Sequence, residues 1–158
     1  MAESKTNVMR ILDRAKIPYQ SHFYEHGDGQ IDGVSVAGKL GQDPARVFKT
    51  LVTKGTSGSY SVFEVPVSKE LDLKKAAKAA GEKSISMIPV SEINKVTGYI
   101  RGGCSPIGMK KQFPTVIDET AQLFDRIMCS GGRIGFQICI APDDLQRMVG
   151  ASFADITQ

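Results

Sequence analysis

The chain of 158 residues is long enough for one domain that buries roughly 70% of its unfolded surface, so its core needs no disulfide or metal to hold it. Its 41% hydrophobic and 23% charged residues are ordinary for a globular protein, and a net charge of +3 (20 basic, 17 acidic) permits a polyanionic partner without requiring one. Cys104, Cys129 and Cys139 are an odd set with no CxxC pair, which argues against a disulfide framework and a zinc site. No apolar run approaches the ~18 residues of a membrane span, and MAESKTNVMR lacks the apolar core of a signal peptide. The expected compartment is the cytoplasm.

Val8, Ile11, Leu12 and Ala15 recur at helical spacing behind the capping residues Ser4 or Thr6, which predicts a helix over 5–16 ended by Pro18. Residues 19–24 alternate into a short strand, and HGDGQIDG (26–33) is loop. GVSVAGKLG (33–41) predicts a short helix. VFKTLVT (47–53) and YSVFEVPV (60–67) are strands joined by GTSGS, a hairpin connection. DLKKAAKAAG (72–81) has an aspartate at its start and a glycine just past its end, and is the clearest helix. A strand over 84–88 and a helix over 89–96 follow, the latter with proline in its first turn.

GYIRGGCSPIG (98–108) has neither helical nor strand character. Beyond it lie a strand (114–119), a helical turn (120–124), two strands (126–130 and 136–141) around GGRIG, and a closing helix (142–150). Interleaved strands and helices without a linker or repeat predict one α/β domain of mixed α+β type over residues 1–158.

Alternation places Lys49 between Val47 and Leu51 on one strand face. An ammonium there either meets an anion or a cavity, or lies on the wet side of an edge strand; spacing leaves both open. His22 and His26 fall on strand and loop, where they diverge, and no third ligand stands nearby, so no metal is expected. Tyr24, ahead of a glycine-bearing loop, is a candidate pocket residue. Cys129 and Cys139, inside apolar strands, read as buried and inert.

Ser130-Gly131-Gly132 can form an anion-binding nest with the serine hydroxyl as an added donor, although composition favours a plain hairpin turn. Gln137 is a candidate polar pocket wall. In GCSPIG the place of the final elbow glycine is taken by Ile107, and no histidine lies close in sequence to Cys104 or Ser105. A backbone cradle built on Gly102 and Gly103 is therefore expected in place of a nucleophile, with Pro106 stiffening its exit. No P-loop and no GxGxxG follow a strand, so no nucleotide cofactor is expected. Lys74, Lys75, Lys78, Lys110, Lys111, Arg101, Arg126 and Arg133 are basic residues that would hold a phosphate backbone if they shared the pocket's face; a solvated lysine face is the commoner arrangement.

VFKTL, DLKKAAKAAG, TGYIRGGCSPIGMKKQFPTVID, SGGRIG and FADI together resemble the YbaK-type family of aminoacyl-tRNA deacylases, from about Val8 to Ile156. Within that family the resemblance is to cysteinyl-tRNA(Pro) deacylases, which are related to the editing domain inserted in some prolyl-tRNA synthetases. It implies a mixed β-sheet or barrel-like core wrapped by helices, with one pocket. It also implies hydrolysis of the ester between a wrong amino acid and the 3′ end of tRNA(Pro), without cofactor or metal, and possible company with prolyl-tRNA synthetase.

The family's site falls on Tyr24, Lys49, Thr50, Gly102, Gly103 and Ser130. Gln137 stands where relatives carry an aspartate, and Cys104 where they carry isoleucine. For cysteine the implied mechanism uses the substrate's own thiol as nucleophile. The alternatives are deacylation of another mischarged tRNA, such as alanyl-tRNA(Pro), and a non-catalytic tRNA- or synthetase-binding module.

Overall fold

A computed structural model describes residues 5–158. Among them the elements run α1 (Asn7–Arg14), β1 (Gln20–Phe23), α2 (Gly33–Lys39), β2 (Phe48–Gly55), β3 (Tyr60–Pro66), α3 (Leu73–Ala80), β4 (Ile85–Met87), α4 (Val90–Thr97), β5 (Thr115–Asp118), a 3₁₀ turn (Glu119–Leu123), β6 (Ile127–Ser130), β7 (Phe136–Ile140), α5 (Pro142–Val149) and β8 (Ser152–Ala154). The expectation of a mixed α+β architecture holds. Of the two caps offered for α1, the side chain of Thr6 accepts from Met9 N–H, and Ser4 lies outside the described residues. Asp72 caps α3 through the Lys74 and Lys75 N–H groups, and Gly81 closes it in the left-handed conformation. Each such cap stabilises its helix by about 1 kcal/mol.

β1, β7 and β6 form a three-stranded antiparallel sheet in the order β1-β7-β6. The second sheet has the order β4-β2-β3-β5-β8, with β2 antiparallel to both neighbours and β5 parallel to β3 and β8. The sheets meet at a bridge between Val47 and Met128, where Met128 N–H donates to the Arg46 carbonyl at 2.9 Å. The barrel-like core is thus an open one. Between the layers, α1 and α5 supply Val8, Leu12 and Leu145 to a cluster with Phe48, Ile117, Ile127 and Ile138, all at most 2% exposed. On the other face of the large sheet, α3 packs Ala76 and Ala77 on Phe63 and Val65.

β8 has no counterpart in the sequence reading. One exposed and two half-buried residues show no alternation; the strand forms because β5 templates it and because Asp118 Oδ1 accepts the Ile156 N–H at 3.1 Å. That bond gives the FADI motif its structural task.

Candidate functional site

The site begins at a gap in the large sheet. β4 pairs only with Thr53–Gly55, and Ile88 N–H reaches the Val52 carbonyl, so residues 48–51 of β2 are an open edge. Val67 N–H donates to Val47, and Gly55 N–H to Ser59. Antiparallel alternation then turns the backbone groups of Val47, Lys49 and Leu51 toward β3 and those of Phe48 and Thr50 toward the opening. A cavity of about 430 Å³ lies against this edge. Its other walls are the start of α2 with the preceding loop, the 98–108 loop, and the ends of β6 and β7.

Of the seven residues singled out in the sequence, six line this cavity: Tyr24, Lys49, Thr50, Gly102, Ser130 and Gln137. Both sequence readings of Lys49 contain part of the answer: it lies on an edge stretch and also at a cavity. Its side chain is 28% exposed, and its ammonium is 3.8 Å from Glu70, itself 78% exposed. At that distance in solvent the pair contributes little, and the ammonium remains available to an anion. Arg101, exposed at the mouth, adds a second cation.

Gly102 adopts φ +87°, a conformation open to glycine, and a Cβ there would stand 2.8 Å from Ile31 Cδ1. Gly103 has a different job. It does not line the cavity; its N–H donates to the Ile100 carbonyl at 3.0 Å. A Cβ on it would come within 3.0–3.1 Å of the backbone of Arg133 and Ile134. Gly103 therefore seats the loop on the β6–β7 turn, and Gly102 is the one of the two that lines the cavity.

The turn after β6 is an ordinary hairpin and not a nest. Gly131 N–H is bonded to the Phe136 carbonyl and Gly132 N–H to Ser130 Oγ, so both donors are committed inward. Ser130, 7% exposed, keeps its hydroxyl proton for a ligand. Gln137, also 7% exposed, has a buried Oε1 with no partner, and Thr50 Oγ1 is buried and unpartnered in the same way. Buried polar atoms left like this cost about 1–3 kcal/mol each. Both residues line the cavity, so a side-chain rotation would bring either atom to a ligand.

Neither loop nucleophile candidate is armed. Ser105 is fully buried and its Oγ accepts the Ile107 N–H. Burial, with the Glu64 carboxylate adding and the Thr97 hydroxyl opposing, pushes the Cys104 thiol up to about 12. No histidine lines the cavity. Among the described residues no group of three His, Cys, Asp or Glu side chains is placed to hold a metal ion. The expected buried character of Cys129 and Cys139 is observed, at 0% and 5% exposure. The basic residues do not form one tract: Lys75 is bound to Asp155 and the Thr157 carbonyl, Arg133 lies over Phe136, and Arg101 is the one that reaches the cavity.

Glu64 escaped the sequence reading. It lies in β3 between Phe63 and Val65, is wholly buried, and neither carboxylate oxygen has a hydrogen-bond partner. A carboxylate inside VFEVPV was the available signal, since acidic residues are rarely buried unpaired.

Residues 32–148 match the family model described as the aminoacyl-tRNA editing domain. The chain belongs to this family. The match contains Lys49, Thr50, Gly102, Gly103, Ser130 and Gln137, and begins after Tyr24. A protein of Enterococcus faecalis, provisionally named the Cys-tRNA(Pro)/Cys-tRNA(Cys) deacylase EbsC, is 44% identical over 155 residues, 98% of this chain and 94% of that one. Two crystal structures share the editing-domain fold. One, of hypothetical protein APE2540, has TM-score 0.88 at 20% identity, covering 97% of this chain and 100% of that one. The other, described as a candidate trans-editing enzyme for prolyl-tRNA synthetase, has TM-score 0.81 at 22% identity, covering 98% and 99%.

Proposed function

We propose that the chain, acting as one editing domain over residues 1–158, clears cysteine from mischarged tRNA(Pro) by cleaving the aminoacyl ester. The observation that carries this is the cavity itself. It brings one loosely paired ammonium, a glycine loop and three polar side chains to an open strand edge, and supplies no activated nucleophile. The full-length similarity to EbsC supports cysteine as the amino acid.

Such a site suits a substrate that brings its own nucleophile. The cysteine sulfur attacks the carbonyl carbon of its own ester, forming a carbon–sulfur bond and a cyclic thiolactone. The carbon–oxygen bond to the ribose breaks, and the released ribose oxygen takes the thiol proton. Orienting an intramolecular attack contributes on the order of 7–11 kcal/mol. In this scheme Lys49 and Arg101 hold the phosphate-bearing end, while the Gly102 N–H and the Ser130 hydroxyl polarise the carbonyl. Contacts with the tRNA body would come from a complex with prolyl-tRNA synthetase, consistent with the small net charge of +3.

tRNA(Pro) charged in turn with cysteine, S-methylcysteine, alanine, serine and proline separates the possibilities. Cysteine is released fastest, and S-methylcysteine, which lacks the attacking thiol, resists. Rapid release of S-methylcysteine overturns the thiolactone scheme, and faster release of alanine reassigns the substrate. Cys104→Ala is expected to remain active within about threefold, because a protonated thiol at about 12 takes no part as a nucleophile. A 100-fold loss in that variant, read by the same release assay, would return the cysteine to the mechanism.

A further inference from the structure

Under the cavity floor lies a group that the deacylation scheme leaves unused. Thr50 and Glu64 are direct cross-strand partners in the β2–β3 register. Val67 N–H donates to Val47 and Gly55 N–H to Ser59, so the backbone-bonded pairs of this ladder are the odd-numbered residues. The Thr50–Glu64 pair is therefore a non-hydrogen-bonded one, the kind whose side chains approach more closely, with Cβ atoms about 4.5–5.5 Å apart. Thr50 lines the cavity; Glu64 does not, and is wholly shielded from solvent behind it. Thr50 Oγ1 and both Glu64 oxygens are buried and meet no hydrogen-bond partner in the ligand-free molecule.

We propose that Glu64 is a positioning residue of this pocket, acting through Thr50. The inference rests on the deacylase function proposed above and deepens it. When substrate enters, the Thr50 hydroxyl has a ligand on one side and the Glu64 carboxyl on the other, and a small side-chain rotation completes both contacts. The chain ligand–Thr50–Glu64 then satisfies groups that the empty site leaves unpaired.

Burial drives Glu64 well above the usual carboxylate range, and the nearby Thr50 hydroxyl, though short of hydrogen-bond geometry, pulls the other way. Burial thus favours the neutral carboxyl over the carboxylate, and the neutral form can donate as well as accept. Cys104 and Cys129, also near it, are themselves raised, chiefly by burial, so burial disfavours charge on every group of the floor. A floor without a charge of its own leaves substrate attraction to Lys49, on the opposite face of β2, and to Arg101 at the mouth. Retaining an acid in this apolar layer is costly unless it does something, since an apolar residue of equal size fits such positions at least as well.

The test is a double-mutant cycle on cysteine release from Cys-tRNA(Pro), with Thr50→Val, Glu64→Met and the pair, and Glu64→Gln alongside. Expected are at least a tenfold fall in kcat for Glu64→Met with a melting temperature at or above wild type, and activity within about threefold for Glu64→Gln, which keeps a neutral donor and acceptor. The pair should be no slower than Thr50→Val alone, because both act on one contact. Wild-type kcat in Glu64→Met, losses that add in the pair, or a Glu64→Gln variant as slow as Glu64→Met overturns the inference. Wild-type protein that releases no amino acid overturns the deacylase function itself, and with it the role given to Glu64.

Discussion

Lys49→Ala is expected to slow cysteine release on the order of 10²- to 10³-fold while leaving the melting temperature nearly unchanged. The first half follows from the site: removing one preorganised charge or donor at a developing transition state typically has an effect of that size. The second follows from the packing. The Lys49 ammonium is 3.8 Å from a largely exposed Glu70, a contact of about 0–1 kcal/mol, and its stem lies on an open edge and not in the core. Lys49→Arg should not restore the rate, because a planar guanidinium places its donors differently from a compact ammonium. Full activity in Lys49→Ala, with binding and release measured separately, removes the lysine from the mechanism.

Gly102→Ala and Gly103→Ala are expected to damage the loop in two distinguishable ways. At Gly102, φ of +87° and the 2.8 Å approach to Ile31 Cδ1 make a side chain strained, at a cost of about 1–3 kcal/mol, and the loop must shift to relieve it. Activity and melting temperature fall together. At Gly103 the added methyl meets the backbone of Arg133 and Ile134 at 3.0–3.1 Å, neither of which is a flexible side-chain end. The loop must lift off the β6–β7 turn. That displaces Gly102 relative to Lys49, so the rate should drop at least tenfold, with KM rising less than kcat falls. A Gly103→Ala variant with wild-type kcat contradicts the seating role assigned to it.

Local signals in the chain carried the architecture well. Thr6, Asp72 and Gly81 cap the helices their types predict, and GTSGS turns the hairpin that pairs β2 with β3. What escaped was long-range. Nothing in SFA announces a strand, because β8 exists only beside β5 and is held by Asp118.

The site divides along the same line. Residue types and the family resemblance pointed to Lys49, Thr50 and Gly102, and these do share one cavity. The division of labour between Gly102 and Gly103 depends on which carbonyl takes the Gly103 N–H, and that is decided by folding. The donors at Gly131 and Gly132 are likewise spent inside the hairpin, where composition alone allows either outcome. Glu64 was visible as an oddity in an apolar strand, but its meaning came from the β2–β3 register that sets it behind Thr50.

The central claim is that this cavity turns substrate over and does not merely hold it. Cysteine release from Cys-tRNA(Pro), followed with enzyme at one-twentieth of substrate or less against the enzyme-free ester, tests this most directly. Many turnovers per molecule are expected on Cys-tRNA(Pro), with Pro-tRNA(Pro) left intact. Saturable binding of the charged tRNA with release no faster than spontaneous hydrolysis would contradict it.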